Sequence, residues 1–150
     1  MKKTISILFV ALLAALTWSC SSDDDKDIPI SADQLPANAK NFISMYFPQD
    51  KIVKVERDGS HPYADYDVRF QSGFEVEFNA SGDWVDVDAP MGQTIPAGIA
   101  PGAIENYVSL NYPTSGINEI SAEINGYEVE LVNGLDLLFD LQGNFVGIGD

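Results

Sequence analysis

The most frequent chemistry-bearing pattern in this sequence is a pair of carboxylates two residues apart. The pairs are Asp65 and Asp67, Glu75 and Glu77, Asp86 and Asp88, and Glu128 and Glu130. In a β-strand, residues i and i+2 project from the same face, so each pair would set two acids side by side. Glycosidase chemistry uses two carboxylates at a defined separation beside a sugar-binding cleft. An open sheet face offers no such cleft, so we interpret these pairs as solvated strand faces.

Few other residues of the sequence could act as a catalytic nucleophile or base. The single histidine, His61, lies in a loop sequence with Gly59 and Pro62, and no nucleophile motif accompanies it. The sequence contains no G-x-S-x-G, no H-E-x-x-H and no glycine-rich phosphate loop. The sequence therefore predicts a protein that is not an enzyme and has no catalytic residues.

Calcium is the cofactor for which the sequence offers some ligands. Asp83, Asp86 and Asp88 are weak calcium candidates, and Asp136 and Asp140 form a second group. Hard cations prefer such oxygen ligands, but the regular Asp-x-Asp-x-Asp-Gly loop is absent. We predict no confident metal site and no other cofactor.

Composition narrows the class of partner. The 150 residues include 8 Lys and Arg against 23 Asp and Glu, which gives a formal net charge of −15. Binding to a phosphate backbone needs a basic stripe, so nucleic acid is not an expected partner. The single cysteine excludes a disulfide within the chain.

The amino terminus resembles an export signal. Lys2 and Lys3 precede an apolar run that is too short to span a bilayer, and Cys20 follows it. We predict a signal peptide over 1–19, lipidation at Cys20 and a flexible tether over 20–33. The alternative is a secreted protein with one free thiol.

The acidic residues after Cys20 bear on the destination of the chain. The sequence Ser22-Asp23-Asp24-Asp25 resembles the export signal of surface lipoproteins of Bacteroidetes. A solvated spacer is the other reading of this stretch. We predict a cell-envelope lipoprotein of the outer membrane, which is exposed at the cell surface if Ser22 to Asp25 act as the export signal. The protein would contact the membrane through its lipid anchor only.

The remainder of the chain is an internal repeat. Pro36, Phe42, Phe47-Pro48, Tyr66, Val68, Gly73 and Gly82 correspond in order to Pro101, Tyr107, Tyr112-Pro113, Tyr127, Val129, Gly134 and Gly143. Such self-similarity predicts two copies of one structural unit. We place the first repeat at 34–88, a linker at 89–100 and the second repeat at 101–150.

Hydrophobic periodicity assigns the elements of each repeat. Ala39, Phe42, Ile43 and Tyr46 follow helical spacing, and Pro48 ends that helix. Alternating runs such as Tyr66 to Phe70 then predict strands with one buried and one wet face. The predicted class is α+β: a tandem duplication of a helix plus an antiparallel four-stranded meander, with the helices packed on one face of the sheet. Whether the two repeats share one sheet stays open.

Strand alternation also selects candidates for partner binding. These residues fall on the predicted outer face: Asp67, Glu75, Glu77, Trp84, Asp86, Asp88 and Leu138. A bulge after Gly82 would instead bury Trp84. Leu138 interrupts the acidic pattern and would mark an asymmetric contact or a dimer contact.

These motifs resemble the PepSY-like family, which is related in fold to the β-lactamase inhibitor protein. The resemblance rests on Leu35-Pro36, the following helix, Phe47-Pro48, Gly73 and Gly82-x-Trp84, with their counterparts in the second half. It implies an exported protein of Bacteroidetes with a helix-plus-sheet repeat that binds or inhibits another protein.

We therefore predict a non-enzymatic envelope lipoprotein that binds a basic protein partner through an acidic sheet face. Two alternatives remain: a calcium-responsive periplasmic or surface protein, and an accessory glycan-binding protein that uses Trp84. The sequence leaves the oligomeric state open.

Overall fold

Two helices and a series of antiparallel strands make up the fold. The computed structural model describes residues 27–57 and 65–149. The helices are α1 (Ala37–Tyr46) and α2 (Gly102–Asn111). The strands are β1 (Ile28–Pro29), β2 (Ile52–Arg57), β3 (Tyr66–Phe70), β4 (Glu75–Phe78), β5 (Trp84–Asp88), β6 (Ile117–Glu123), β7 (Gly126–Leu131), β8 (Asp136–Asp140) and β9 (Phe145–Ile148). The predicted signal peptide, Cys20 and His61 lie outside the described residues.

The nine strands of the described ranges form one antiparallel sheet, in which each strand neighbours the next along the chain. The predicted class of helix plus antiparallel sheet is confirmed. Strands β2 to β5 follow α1, and β6 to β9 follow α2. Because β5 pairs with β6, with Val87 opposite Ile120, the sheet runs without interruption from one half to the other. None of the described helices is long and apolar enough to cross a membrane.

A row of buried aliphatic side chains crosses the sheet. Cross-strand pairing places these residues in line: Val55, Val68, Val76, Val87, Ile120, Val129 and Leu137. Each is at most 5% exposed. Directly opposed residues of a sheet share a face, so this row defines the inner face on which the core is built.

Both helices pack against this inner face. In α1, Ala39 is fully buried, and the Phe42 ring meets the Phe78 ring edge-on with centroids 5.6 Å apart. In α2, Tyr107 makes the same edge-on contact with Phe139 at 5.4 Å. Edge-to-face pairs of this kind add about 0.5–1.5 kcal/mol beyond the area they bury. The apolar stripe predicted for the helices is therefore the surface that holds them on the sheet.

A β-bulge in β5 reverses the side-chain alternation near its start. Glu77 lies opposite Asp86, but Phe78 lies opposite Trp84, which leaves Val85 as the extra residue. Trp84 therefore shares the face of Phe78, the inner face. Of the two alternatives for Trp84, the inward placement by a bulge after Gly82 is the one formed, and the placement on the outer face with the acids is not.

The same bulge recurs in β9. There the register shifts between Leu138 and Phe139, and Val146 is the extra residue. Phe145 turns inward and stacks on Tyr107, with ring centroids 4.7 Å apart. The corresponding inward residue in β5, Trp84, approaches Tyr127 at 6.4 Å.

The segment predicted as a tether over 20–33 is structured from Ile28 onward. β1 pairs with β2, and the amide of Ile30 donates a 3.0 Å hydrogen bond to the Val55 carbonyl. A short 3-10 helix (Ala32–Gln34) follows, where the Ser31 amide donates to Gln34 Oε1 at 2.9 Å. The prediction was wrong for 28–33 because polar composition alone does not reveal that β2 needs a partner on its free edge.

The predicted linker 89–100 is also part of the core. Ile95, Ile99 and Ala100 are buried, and the Ile95 amide donates to the Ile117 carbonyl at 2.9 Å. The segment therefore fixes α2 to the start of β6.

The turn glycines offer a test of how the hairpins are held against the helices. A Cβ at Gly82 would lie 2.7 Å from Pro36 Cβ and 2.8 Å from the Ala39 amide nitrogen, whereas a Cβ at Gly134 would meet nothing within 4 Å. Both glycines have positive φ, at 81° and 76° respectively. Gly134→Ala should lower the free energy of unfolding by about 1–2 kcal/mol through the left-handed backbone alone. Gly82→Ala should cost ~1–3 kcal/mol more, because the methyl group also pushes on the start of α1. Urea denaturation of the two variants measures the difference, and equal losses would contradict this packing role for Gly82.

Candidate functional site

The outer face of the sheet carries two rows of mostly acidic side chains, which we call the acidic face. The first row is Lys54, Arg69, Glu75, Asp88, Glu119, Glu130 and Asp136. The second row is Glu56, Asp67, Glu77, Asp86, Ser121, Glu128 and Leu138. Because the register is continuous, acids from both halves of the chain lie beside one another.

Cations lie at one end of the acidic face only. Lys54 Nζ is 2.6 Å from Glu56 Oε2, and Arg69 Nε is 3.4 Å from both Asp67 Oδ2 and Glu75 Oε2. Arg69 is the last basic residue of the sequence, since no Lys, Arg or His follows it. The acids of β6 to β8 therefore have no cation of their own half to balance them.

Charge crowding is greatest around Glu119. Burial raises the pKa of Glu119 to about 7, and the charges of Asp86, Asp88, Glu130 and Glu128 add to the shift. Like charges that lie directly opposite on neighbouring strands destabilise a sheet. The centre of the acidic face therefore stores electrostatic repulsion that a bound positive charge would relieve.

Two neighbouring carboxyls shift in the same direction. Burial is the main cause of the raised pKa of Asp86, although the Ser121 hydroxyl donates a 2.5 Å hydrogen bond to Asp86 Oδ1 and acts against the shift. Burial alone raises the pKa of Asp88. Asp86 and Glu119 line a polar pocket of about 260 Å³ on this face, which Glu77 and Glu123 also line.

Asp67 lies at the ion-paired end of the acidic face. Burial raises its pKa, and the Arg69 guanidinium opposes that shift. Its Oδ2 contacts Arg69, whereas its buried Oδ1 has no hydrogen-bond partner among the described residues.

Six of the seven predicted partner-binding residues lie on the acidic face. They are Asp67, Glu75, Glu77, Asp86, Asp88 and Leu138. The seventh, Trp84, lies on the inner face and packs against the core. An exposed platform of Trp84 among the acids is therefore not formed.

The structure separates the calcium candidates. Asp83 lies in the turn beside α1, where Asn38 Nδ2 donates to its Oδ1 at 3.3 Å. Asp86 and Asp88 lie on the acidic face instead. In the described ranges, no three His, Cys, Asp or Glu side chains are grouped closely enough to hold a metal ion. The structure therefore does not bring the weak candidates Asp83, Asp86 and Asp88 together, because the bulge in β5 intervenes between Asp83 and the others.

Sequence reasoning missed Glu119 as the most strongly perturbed group. Ile117 and Ile120 are both buried although they are three positions apart, because β6 shifts register between Ile117 and Glu119. Simple alternation does not place both of them inward, so it assigns no certain face to Glu119. The first half has the same spacing, since Ile52 and Val55 are also three positions apart and β2 shifts register between Ile52 and Lys54. This repeated spacing is the sequence signal for the irregularity in β6.

The far end of the acidic face is apolar. Leu138 adjoins a pocket of about 350 Å³ that Ile124, Tyr127 and Val146 also line. Val146 and Ile124 are 67% and 66% exposed. The acidic face therefore changes from ion-paired at β2 and β3 to acidic in the middle and apolar beside β9.

The fold and this surface define a class of α+β module that presents an open, charged sheet face. The sequence model of the family described as "Putative beta-lactamase-inhibitor-like, PepSY-like" matches residues 18–65 and 64–147, and the chain belongs to this family. No curated protein matches the sequence significantly.

Solved structures of similar proteins come from Bacteroides. One from Bacteroides thetaiotaomicron, described as a "putative calcium-regulated periplasmic protein", is 35% identical with a TM-score of 0.78, and the match covers 85% of this chain and 99% of that one. A "putative periplasmic protein" of the DUF2874 family from Bacteroides vulgatus is 35% identical with a TM-score of 0.76, covering 84% and 98% of the two chains. Another from Bacteroides vulgatus, described as a periplasmic protein of unknown function, is 31% identical with a TM-score of 0.77, covering 83% and 100%. None of these descriptions names an enzymatic activity.

The crowding at Glu119 predicts a pH dependence of stability. The folded-state pKa of about 7 lies above the ordinary value of 4.5, so the folded protein binds more protons than the unfolded chain between these values. The free energy of unfolding should therefore fall as pH rises from about 4.5 to 7. Glu119→Gln should remove part of this fall and raise stability at pH 8 by about 1–2 kcal/mol, once solvent screening is allowed for.

Asp33→Asn is the matched control, because it removes one negative charge from an exposed site on the 3-10 helix. Urea denaturation of both variants and the parent protein at several pH values measures the effect. The same pH dependence in the parent and Glu119→Gln would contradict the assignment.

Proposed function

We propose that the protein is a non-enzymatic lipoprotein of the cell envelope that binds a protein with a basic surface through its acidic face. The observation that carries this proposal is the run of acids from β5 to β8, because Arg69 is the last basic residue of the sequence and lies before all of them. A surface of one sign raises the rate of encounter with an oppositely charged patch and disfavours partners of like charge.

The energetic argument rests on the centre of the acidic face. Glu119 lies opposite both Asp88 and Glu130, so three carboxylates adjoin across neighbouring strands. A Lys or Arg of a partner placed over them would replace repulsion with charge-assisted hydrogen bonds. The apolar end around Leu138 and Val146 would add buried area at the rim of such an interface.

Anchoring at Cys20 is the second part of the proposal. The described fold begins within a few residues of the acidic stretch Asp23 to Asp25, so a lipid on Cys20 would hold the module near the membrane. The periplasmic descriptions of the relatives support an envelope location, and we propose the outer membrane as the specific site. The inhibitor-like family description supports inhibition as one consequence of binding.

The equivalence of the two halves fits this function. The order of helix and four strands occurs in both halves, and the bulges in β5 and β9 match. We propose that a duplication of this unit produced the chain. Joining two short sheets edge to edge gives a face long enough for a protein partner.

The partner proposal predicts a loss of binding that depends on where charge is removed. The variant Glu75→Gln, Glu119→Gln and Glu130→Gln neutralises three acids of one row while keeping side-chain shape. Envelope extract is passed over the immobilised 21–150 protein at low and high salt. A partner retained at low salt and released at high salt should be bound about 3-fold to 100-fold less by this variant, since each exposed charge pair contributes about 0.2–1 kcal/mol.

The control is Asp27→Asn, Asp33→Asn and Asp83→Asn, which removes the same charge from exposed positions away from the acidic face. It should retain the partner as the parent protein does. Equal retention by the two triple variants would overturn the proposed role of the acidic face.

A calcium-responsive protein is the second candidate. The description of the Bacteroides thetaiotaomicron relative as calcium-regulated favours it, together with the crowding of Glu119, Asp86 and Asp88 on this chain. Diffuse binding over the acidic face would relieve the same repulsion that a basic partner relieves.

This candidate predicts a specific rise in melting temperature. Millimolar calcium should raise the melting temperature of the 21–150 protein by a few degrees more than sodium chloride of equal ionic strength, because binding to the folded state stabilises it. Glu119→Gln should reduce that difference and Asp33→Asn should not. Equal rises in melting temperature with calcium and with sodium would mean that both salts act only by screening charge, and would exclude a calcium response.

A further inference from the structure

The two edges of the sheet are built differently. At one edge, β1 has only two residues, one of which is Pro29. Proline lacks an amide hydrogen, so this edge resists the addition of another strand. At the other edge, β9 contains no proline and no charged residue, and its Val146 and Ile148 are 67% and 59% exposed. The β9 edge therefore has the features of an edge that accepts a strand.

The junction between the two halves shows which strand fits such an edge. β5 and β9 hold the same position after their helices and carry the same bulge. β5 is covered by β6, with Val87 opposite Ile120, and the Ala89 amide donates to the Asn118 carbonyl at 3.0 Å. β6 in turn corresponds to β2 of the first half. The edge of β9 thus corresponds to the edge of β5. Within this chain the edge of β5 is paired with β6, which is the counterpart of β2.

The matching edge of β2 is occupied by β1. Pro29 lies opposite Glu56, and the Ile30 amide bonds to the Val55 carbonyl. Ile30 also packs against the core. β1 therefore holds on β2 the place that β5 holds on β6, but with two residue pairs instead of three, and one of its two residues is a proline.

Charge favours the union of these two edges over the pairing of two β9 strands. In the register of the β5–β6 junction, Gly147 of one copy would face Glu56 of the next, Ile148 would face Val55, and Gly149 would face Lys54. Each acidic row would then continue into the end of the second copy that carries Lys54 and Arg69. Two β9 strands side by side would instead join two ends that carry no cation, so the acids of β7 and β8 would gain no opposite charge from the second copy.

We propose that β9 is a docking edge whose occupant is β2 of a second copy, and that β1 keeps this contact closed by covering β2. The interface joins different edges of the two copies, so it is heterologous and each added copy offers a new β9 edge. Displacement of β1 allows copies to assemble head to tail, so that the buried row and the acidic face both continue from one copy to the next.

The test removes β1 from the 21–150 protein, which contains every described residue and lacks Cys20. Deletion of residues 28–30 should give species of two and more times the monomer mass that grow with protein concentration, as measured by light scattering after size exclusion. The protein with β1 intact should remain monomeric under the same conditions. A folded deletion variant that stays monomeric at every concentration would overturn the proposal.

The same deletion with Ile148→Lys tests the other side of the contact, because a lysine on an edge strand opposes pairing. This second variant should return the protein to a monomer. Deletion with Leu110→Lys is the control, since Leu110 is 81% exposed on α2 and the change in charge is equal. If both lysine variants assemble, or both do not, the β9 edge is not the contact.

Circular dichroism establishes whether the deletion variant is folded. Where it is not, Ile30→Ser in the intact chain takes its place, because this change loosens β1 by one partly buried side chain. It should give a smaller but concentration-dependent proportion of dimer that Ile148→Lys abolishes. A folded Ile30→Ser protein that remains wholly monomeric would overturn the proposal in the same way.

Discussion

The continuous antiparallel register of the sheet is the constraint on which the rest of the structure depends. Because opposed residues share a face, one pairing scheme aligns Val68, Val76 and Val87 under the helices and aligns Asp67, Glu77 and Asp86 on the opposite surface. A slip of one residue in any strand would put carboxylates into the core and valines into water. The energy of the buried row therefore fixes the acidic face, although the acids themselves repel one another.

The bulges reconcile this register with the aromatic packing beneath the helices. Without the extra residue Val85, Trp84 would follow the parity of Asp86 and leave the inner face. In the second half, Val146 allows Phe145 to stack on Tyr107. Phe145 thus gives α2 an aromatic contact, and Trp84 turns inward towards Tyr127 of β7 while Asp86 and Asp88 keep their outward direction.

Charge is distributed unevenly across the sheet, from β2 to β8. Lys54 and Arg69 neutralise the acids near the β1 edge, whereas Glu119, Glu128 and Glu130 have only like-charged or neutral neighbours across the strands. The repulsion is tolerated because burial of the aliphatic row contributes far more, at roughly 1.5–3 kcal/mol per side chain. The two proposed uses of the molecule are a basic partner at the centre of the acidic face and a strand of a second copy at the β9 edge, and they meet at Val146.

The sequence by itself determined the elements and the family. Helical spacing placed α1 from Ala39 to Tyr46, alternation placed β3 at Tyr66 to Phe70, and the repeat predicted the second half from the first. These features are local, so periodicity reports them directly. Only the tertiary structure decided the face of Trp84, the crowding of Glu119 and the role of Ile28 to Ile30, because a bulge is a property of two paired strands and a pKa depends on neighbours distant in sequence. The same holds for the union of the two halves into one sheet, which the pairing of Val87 with Ile120 establishes across a long connection that contains a helix.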